Sequence, residues 1–423
     1  MKQSFPDDTA PAAIAFSGGG DSTAMLHAFR DDPSVSHAFI VDHALRKESA
    51  EEALQAASIA KAYGYKVQID KWAHDGITTG IQAKAREYRY AALGRMCRAA
   101  GVKRLMTAHT EDDLAETLLM RMNRKTGWRG LAGIIEYAYA PIWPQLAGVS
   151  LHRPWLGKSR EALREYNRKH ALSFIDDPSN SDRKFARIRA RETLAANSDL
   201  RASLLEQQIG LRERLAQERQ EHAIWLREYA RLDPQGYIET RAVPPSELLL
   251  HLLNAASGQG GPIDSTKRER LCRDMSAPDF KAATLGGGWV IRKPRLRAQG
   301  ECHSFVFLRD RVAVSGRSDI SRLHPLKLEP HVDAFWDGRF FCRAKRKGIS
   351  IEPGLGHLQK LRQLPEFKTL FDIPKDIRES LPIFFLGEKP INFGACDTEY
   401  VTSSATSASR LQALFKELET VPI

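Results

Sequence analysis

The sequence predicts an α/β protein: an N-terminal doubly wound, mostly parallel sheet, then a helical/α+β region, then a small α+β C-terminal domain. Three observations carry this. From the start to about residue 110, short apolar runs alternate with helical patterns across short connections, as right-handed crossovers require. The first run ends in glycines that open a helix, and open α/β sheets bind ligands at that edge. The length of 423 residues suggests two or three domains at roughly 150 residues each.

The elements follow in order. Ala13 to Phe16 reads as a buried strand, and Asp21 to Arg30 as a helix burying Ala24, Met25, Leu26 and Phe29. Ala38 to Val41 is the second strand, Lys47 to Tyr63 a helix rich in Ala and Glu, and Val67 and Ile69 mark the third strand. Ile81 to Ala100 is a helix stopped by Gly101. Leu105 to Ala108 is the fourth strand, and Glu111 to Met122 continues as a helix. Gly127 to Pro154 is looser, Lys158 to Lys169 helical, and Asp176 to Asn180 a turn or cap cluster. Leu204, Leu211, Leu215, Leu226 and Tyr229 suit a long amphipathic helix from Ser203 to Leu232. A small helical piece lies between Pro244-Pro245 and Gly258 to Pro262, and Val290-Ile291 and Phe305 to Phe307 read as strands. Ser315 to Pro330 is a polar linker, and His331 to Ile423 the small α+β domain. The domains are therefore 1–202, 203–314 and 315–423.

Composition excludes several classes. Apolar residues at 42% and charged residues at 27% are globular values, not those of a disordered chain. No run of about 18 apolar residues exists, so no membrane span is expected, and the first residues lack the order of a secretory signal. Five scattered cysteines without a C-x-x-C support neither a disulfide framework nor a thiolate metal site, and suit a cytoplasmic protein. The net charge of +11 hints at a polyanionic partner.

Ser17-Gly18-Gly19-Gly20-Asp21-Ser22 lies between a buried strand and a helix. Glycines let backbone amides approach a phosphate, and the helix N-terminus adds its positive dipole end. Asp21 would repel phosphates unless Mg²⁺ lies between them. Asp42, His43, Glu111 and Asp112 follow the C-terminal ends of predicted strands, the ligand-binding edge. Asp113 and Glu116, three apart, share a helix face and could hold Mg²⁺ or a cationic amine; acids also simply favour a helix's first turn. Arg86 and Arg89 share a face too, which spacing alone would leave as a solvated basic surface.

The S-G-G-x-D-S pattern resembles the pyrophosphate loop of the ATP pyrophosphatase (PP-loop, N-type) superfamily. Six further segments fit in order: Val41 to Arg46, Ala85 to Tyr90, Thr107 to Thr117, Gly130 to Gly133, Arg153 to Leu156, and Asp177 to Asn180. Together they resemble the tRNA(Ile)-lysidine synthetase family over roughly the first 190 residues; beyond that the match is loose, chiefly Arg378 to Pro382. The resemblance implies an AMP-forming ligase that adenylates C2 of the wobble cytidine of a CAU-anticodon isoleucine tRNA. The ε-amine of free L-lysine then displaces AMP. It implies ATP as substrate and Mg²⁺ as cofactor, with Ser17, Gly18, Gly19, Gly20, Asp21, Ser22, Asp42 and His43 at ATP. Asp21, Arg86, His109, Asp113 and Glu116 would be catalytic, Asp113 and Glu116 holding the lysine. Asp21 and Asp112 would ligate the metal.

Four basic clusters suit a long polyanion: Arg183 to Arg191, Arg121 to Arg129, Arg292 to Arg297 and Arg343 to Lys347. The expected tRNA contacts are Arg124, Lys125, Arg183, Lys184, Arg187, Arg189, Arg191, Arg295 and Lys345. Trp128 and Trp155 are candidates to stack on an extruded base. The chain departs from the family at Thr110, where a second histidine is usual, at Lys125, where glycine is usual, and around Ile188, where an expected asparagine is absent. Rival readings are a PP-loop tRNA thiolase, a weakened tRNA- or nucleotide-binding protein, and a small-molecule PP-loop synthetase. The lack of paired cysteines weighs against the first, the retained Asp21, Asp113 and Glu116 against the second, and the basic C-terminal half against the third. The sequence leaves open the oligomeric state (a homodimer included), the base that deprotonates lysine, and how isoleucine tRNA is told from methionine tRNA.

Overall fold

The computed structural model describes residues 10–46, 48–74, 80–139, 141–175, 186–297, 300–316 and 323–414, without the side chains of 294–302 and 412–414. Arg183, Lys184 and the Asp176–Asn180 cluster lie outside the described residues, as does the side chain of Arg295. The chain forms two compact units, Met1–Arg219 and Gln220–Ile423.

The first unit contains β1 (Ala12–Ala15), α1 (Gly20–Ala28), β2 (Val35–Asp42), α2 (Ser49–Ala62), β3 (Lys66–Lys71), α3 (Ile81–Ala99), β4 (Arg104–Met106) and α4 (Glu111–Asn123). It continues with α5 (Trp128–Leu131), β5 (Tyr137–Tyr139), β6 (Ser150–His152), α6 (Arg160–Lys169), α7 (Ala186–Ala195) and α8 (Ser198–Tyr229), which runs past the unit boundary. The sheet order is β3-β2-β1-β4-β6-β5, all parallel except β5. The alternation along β1 explains the two-sided cover. Ala12, Ile14 and Phe16 join one core cluster with Met25, Leu26, Ala56 and Ala60 of α1 and α2. Ala13 and Ala15 face the other cluster with Tyr90, Leu93 and Met96 of α3. Side chains on a strand alternate between faces, so a central strand must be apolar throughout.

The predicted long helix is observed three residues short of its expected end. Ala230–Leu232 leaves the helix as β7 because Ala230 and Leu232 are buried around exposed Arg231, a period of two. In the second unit, β8 (Ile238–Thr240), α9 (Ser246–Ser257), α10 (Ser265–Ser276), β9 (Ala282–Leu285), β10 (Gly288–Arg297) and β11 (Gly300–Arg309) follow. They make an antiparallel sheet β7-β8-β11-β10-β9. Leu248, Leu249, Leu252 and Leu253 of α9 are buried in its core. Then come β12 (Leu326–Lys327), β13 (Asp333–Trp336), β14 (Phe340–Ala344), β15 (Ile349–Pro353), β16 (Pro382–Leu386), β17 (Lys389–Phe393), β18 (Cys396–Asp397) and β19 (Val401–Ala405). Two four-stranded sheets result, β12-β15-β16-β17 and β13-β14-β19-β18, sharing a core with Trp336, Phe340, Phe367 and Phe384. Part of the predicted linker is therefore strand, since Leu326 pairs with Ile351. The sequence-based boundary at 314/315 falls inside the second unit, and that at 202/203 within α8.

A buried ion triad braces the second unit. Asp337 receives Arg309 at 3.0 Å and Arg339 at 2.8 Å, and all three side chains are buried. Removing one partner of such a group strands charge in a low-dielectric interior. Asp337 also has φ 53°, a conformation asparagine shares readily. Asp337→Asn should therefore keep the backbone yet lose about 3 kcal/mol of stability. Urea denaturation measures it, and a loss below about 1 kcal/mol would contradict this account.

Candidate active site

Strand order reverses between β1 and β4, so a crevice opens at their carboxyl ends. The glycine loop follows β1. Gly18 has φ +80°, and a Cβ there would lie 2.7 Å from Ile175 Cδ1, so only glycine fits. The loop is tied internally: the Ser17 and Ser22 hydroxyls are 3.1 Å apart, and Ser22 Oγ donates to the Gly19 carbonyl at 2.9 Å. From α6, Asn167 Nδ2 donates to the Gly20 carbonyl at 3.0 Å. Asp21 stands in the first turn of α1, and burial raises its carboxyl above the ordinary value despite the nearby Arg160.

At the end of β2, buried Asp42 accepts a hydrogen bond from the Ala44 amide at 2.8 Å, closing a turn. His43 is held below its ordinary pKa by burial and then by Arg89, and its Nδ1 has no partner among the described residues. Beyond it lies an open depression of about 370 Å³, lined by Ala44, Leu45, Arg46, Ser49, Ala50 and Lys71.

After β4 comes the densest chemistry. Thr110 caps α4 in a reciprocal box: the Thr110 amide donates to Asp113 Oδ2 at 2.7 Å, and the Asp113 amide to Thr110 Oγ1 at 3.3 Å. This explains the threonine where a second histidine is usual, since threonine is the better cap. Glu116 is 1% exposed and Asp113 7%. Arg160 Nη2 donates to Asp113 at 2.7 Å and Nη1 to Glu116 at 3.1 Å, and its Nε lies 3.5 Å from Asp21. Arg187 adds bonds of 2.8 Å to Asp113 and 2.7 Å to Glu116, and Arg191 one of 2.8 Å to Glu116. Asp112 accepts the Arg160 backbone amide at 2.6 Å and lies 3.4 Å from Arg201, which also binds Glu111 at 2.6 Å. Burial holds His109 well below its ordinary value of 6.5, reinforced by Arg153, Arg89, Arg187 and Arg86. Its Nδ1 lies 2.9 Å from Thr107 Oγ1.

The structure thus brings together Asp21, Asp113 and Glu116, with His109 in the same charged surroundings. Arg187 and Arg191, expected as tRNA contacts, have their guanidiniums on these carboxylates instead of standing free. Lys345 likewise donates to Asp397 and to the Thr398 carbonyl, both at 2.6 Å. Arg189, Arg124 and Lys125 are exposed. Lys125 has φ 52°, which accounts for the glycine usual there. Trp155 packs with Phe29 beside a core cluster, its ring 6.0 Å away. Trp128 instead has two guanidiniums over its ring, Arg129 at 4.5 Å and Arg214 at 4.1 Å. Sequence reasoning missed Arg160, whose only signal was its place after the Arg153–Leu156 motif.

Among the described residues no group of three or more His, Cys, Asp or Glu is arranged to hold a metal. Asp21 fits Mg²⁺, as a partly exposed carboxylate beside a phosphate loop. Asp112 fits less well, because both its oxygens already face donors.

A family model described as the PP-loop domain matches residues 1–198. The chain is 34% identical to a tRNA(Ile)-lysidine synthase of Hyphomonas neptunium, over 69% of this chain and 82% of the relative. It is 31% identical to that of Wolbachia pipientis wMel, over 88% and 85%, and 33% identical to that of Brucella anthropi, over 79% and 75%.

Two outcomes follow from this geometry. Thr110→Ala should cost about 1 kcal/mol and Thr110→Ser much less, measured by urea denaturation. A histidine whose folded pKa is depressed weakens the fold as pH falls below 6.5, where the unfolded chain takes the proton first. The loss of stability from pH 6.5 downward should therefore be shallower in His109→Gln than in the parent; equal slopes in denaturation series would refute it.

Proposed function

The chain belongs to the tRNA(Ile)-lysidine synthase family, and we propose that it joins the ε-amine of free L-lysine to C2 of the wobble cytidine in a CAU-anticodon isoleucine tRNA. The O2 of that cytidine attacks the α-phosphorus of ATP, and pyrophosphate leaves. The lysine Nζ then attacks C2, and AMP departs with the oxygen, leaving lysidine. The observation that carries this reading is the set Asp21, Arg160, Asp113 and Glu116 beside a glycine loop at the switch point of the sheet.

Each residue's task follows from its surroundings. The glycine-loop amides and the α1 terminus receive the β- and γ-phosphates, and the Ser17 and Ser22 hydroxyls are within reach of the same anions. Mg²⁺ would be held by Asp21 with phosphate oxygens and would neutralise the departing pyrophosphate. Asp42 shapes the turn that presents His43, and the depression beyond has room for a nucleoside. Arg86, exposed on α3, is suited to a phosphate or to the adenylated intermediate.

Asp113 and Glu116 receive the lysine ammonium. Three arginines already cover that pair, so one guanidinium must swing aside; Arg187 and Arg191 are the more exposed. The guanidiniums that stay lower the pKa of the incoming ammonium, which favours the free amine the attack needs. His109, kept neutral, can accept a hydrogen bond but is a weaker base than an ordinary histidine.

Arg124 and Lys125, exposed at the end of α4, suit tRNA phosphates, and the half-exposed Trp128 a base. The second unit would carry further tRNA contacts, including Arg295. The thiolase reading is disfavoured, because burial pushes the Cys97 thiol up to about 12, far from a reactive thiolate. ATP and tRNA as substrates point to the cytoplasm, and no helix among the described residues is long and apolar enough to cross a membrane. A homodimer would be compatible with this chemistry.

The test is incubation with ATP, Mg²⁺, radiolabelled lysine and CAU-bearing isoleucine tRNA. Label that is stable to mild alkali marks lysidine, since an aminoacyl ester would hydrolyse. Asp113→Asn and Glu116→Gln should each abolish transfer of label while tRNA-dependent pyrophosphate release persists. Asp21→Asn should abolish both. Normal labelling by all three variants would refute these roles.

A further inference from the structure

The charges around the crevice are segregated. The carboxylates Asp21, Asp113 and Glu116 face Arg160, Arg187 and Arg191. Arg86, Arg89 and Arg153 stand near His109, Arg121 stands near Arg86, and none of the four pairs with a carboxylate among the described residues. Arg153 is 6% exposed, and its side chain donates from Nη1 to the Ile135 carbonyl at 2.6 Å. Arg121 Nη1 donates to the Gly130 carbonyl at 2.5 Å. Arg86 lies over the Tyr90 ring at 4.9 Å. Burial and then the like charges of Arg86 and Arg212 hold Arg153 down to about 10, and burial followed by Arg86 lowers Arg121. A group this short of counter-charge is costly to assemble without an anion to receive.

The loop from Gly130 to Glu136 fixes that group in place. Its carbonyls are taken by Arg121, Arg153, Gln208 (Ala132, 3.1 Å) and Arg212 (Ile134). Gly133 has φ +80°, and a Cβ there would strike the Gln208 amide. The loop thus anchors cations from α4, α8 and the segment just after β6, leaving their remaining N–H groups for a ligand.

We propose that Arg89, Arg121 and Arg153 seat a phosphodiester of the substrate tRNA adjoining the nucleotide being modified, a site separate from the glycine loop. This rests on the tRNA reading above. The glycine loop already offers amides and a helix terminus to the phosphates of ATP, and the unpaired group continues along α4 to exposed Arg124 and Lys125. Phosphate oxygens accept the guanidinium fork well.

Arg89→Gln and Arg121→Gln test it by filter binding of isoleucine tRNA across a salt series, with ATP affinity measured without tRNA. Among the described residues Arg89 makes no side-chain hydrogen bond that would be lost with its charge, so it keeps the test valid if Arg121→Gln fails to fold. Each folded variant should bind tRNA several-fold more weakly, with the slope of log K against log salt reduced by about 0.7 to 0.9, and ATP affinity unchanged. An unchanged salt slope in Arg89→Gln would overturn the proposal, whether or not ATP binding falls; a fall would assign the group to ATP. If the unaltered protein binds tRNA and forms lysidine, such a result rejects this inference alone. If it does neither, the functional reading itself fails.

Discussion

Glu116 is the constraint on which the catalytic unit depends. A carboxylate that deep is tolerated only with strong partners, and three arginines from α6 and α7 supply them. Through Arg160 the same cluster reaches Asp21 in the glycine loop. One buried charge therefore ties α4, α6, α7 and the start of α1 together. Removing it would take from Arg160 and Arg187 one of their carboxylates and from Arg191 the carboxylate it binds, a structural as well as a chemical loss.

The same packing gives the reaction its electrostatics. In the reaction proposed above, phosphates would meet amides and a helix terminus after β1, and an ammonium would meet carboxylates after β4. Histidine stays neutral between them because burial and surrounding guanidiniums disfavour its proton. Two half-reactions that need opposite charges are served within one crevice because strand order reverses there.

Thr110 and Lys125 show how departures from a family pattern are read once the backbone is known. Threonine at 110 is a helix cap, so the loss of a second histidine there strengthens α4. Lysine at 125 occupies a left-handed position at modest strain, which glycine would avoid. Thr110 also holds Asp113 Oδ2 through its amide and hydroxyl, so the cap orients one carboxylate of the cluster.

The sequence by itself determined the strand–helix alternation, the glycine loop and the acids after the fourth strand, because each rests on local rules: period two, period 3.6, and glycine's freedom at positive φ. It made Asp113 and Glu116 legible as one face, because residues three apart on a helix are neighbours. It could not reveal that Arg160 would join them, or that Arg187 and Arg191 would turn from solvent to carboxylate. Those residues lie far along the chain from α4, and their charge looks the same in the sequence whether paired or free. Nor could it separate Arg121 and Arg153, which meet no carboxylate among the described residues, from the neutralised Lys345. Only the tertiary structure decides which charges meet, because the cost of burying a charge depends on neighbours that sequence spacing does not supply.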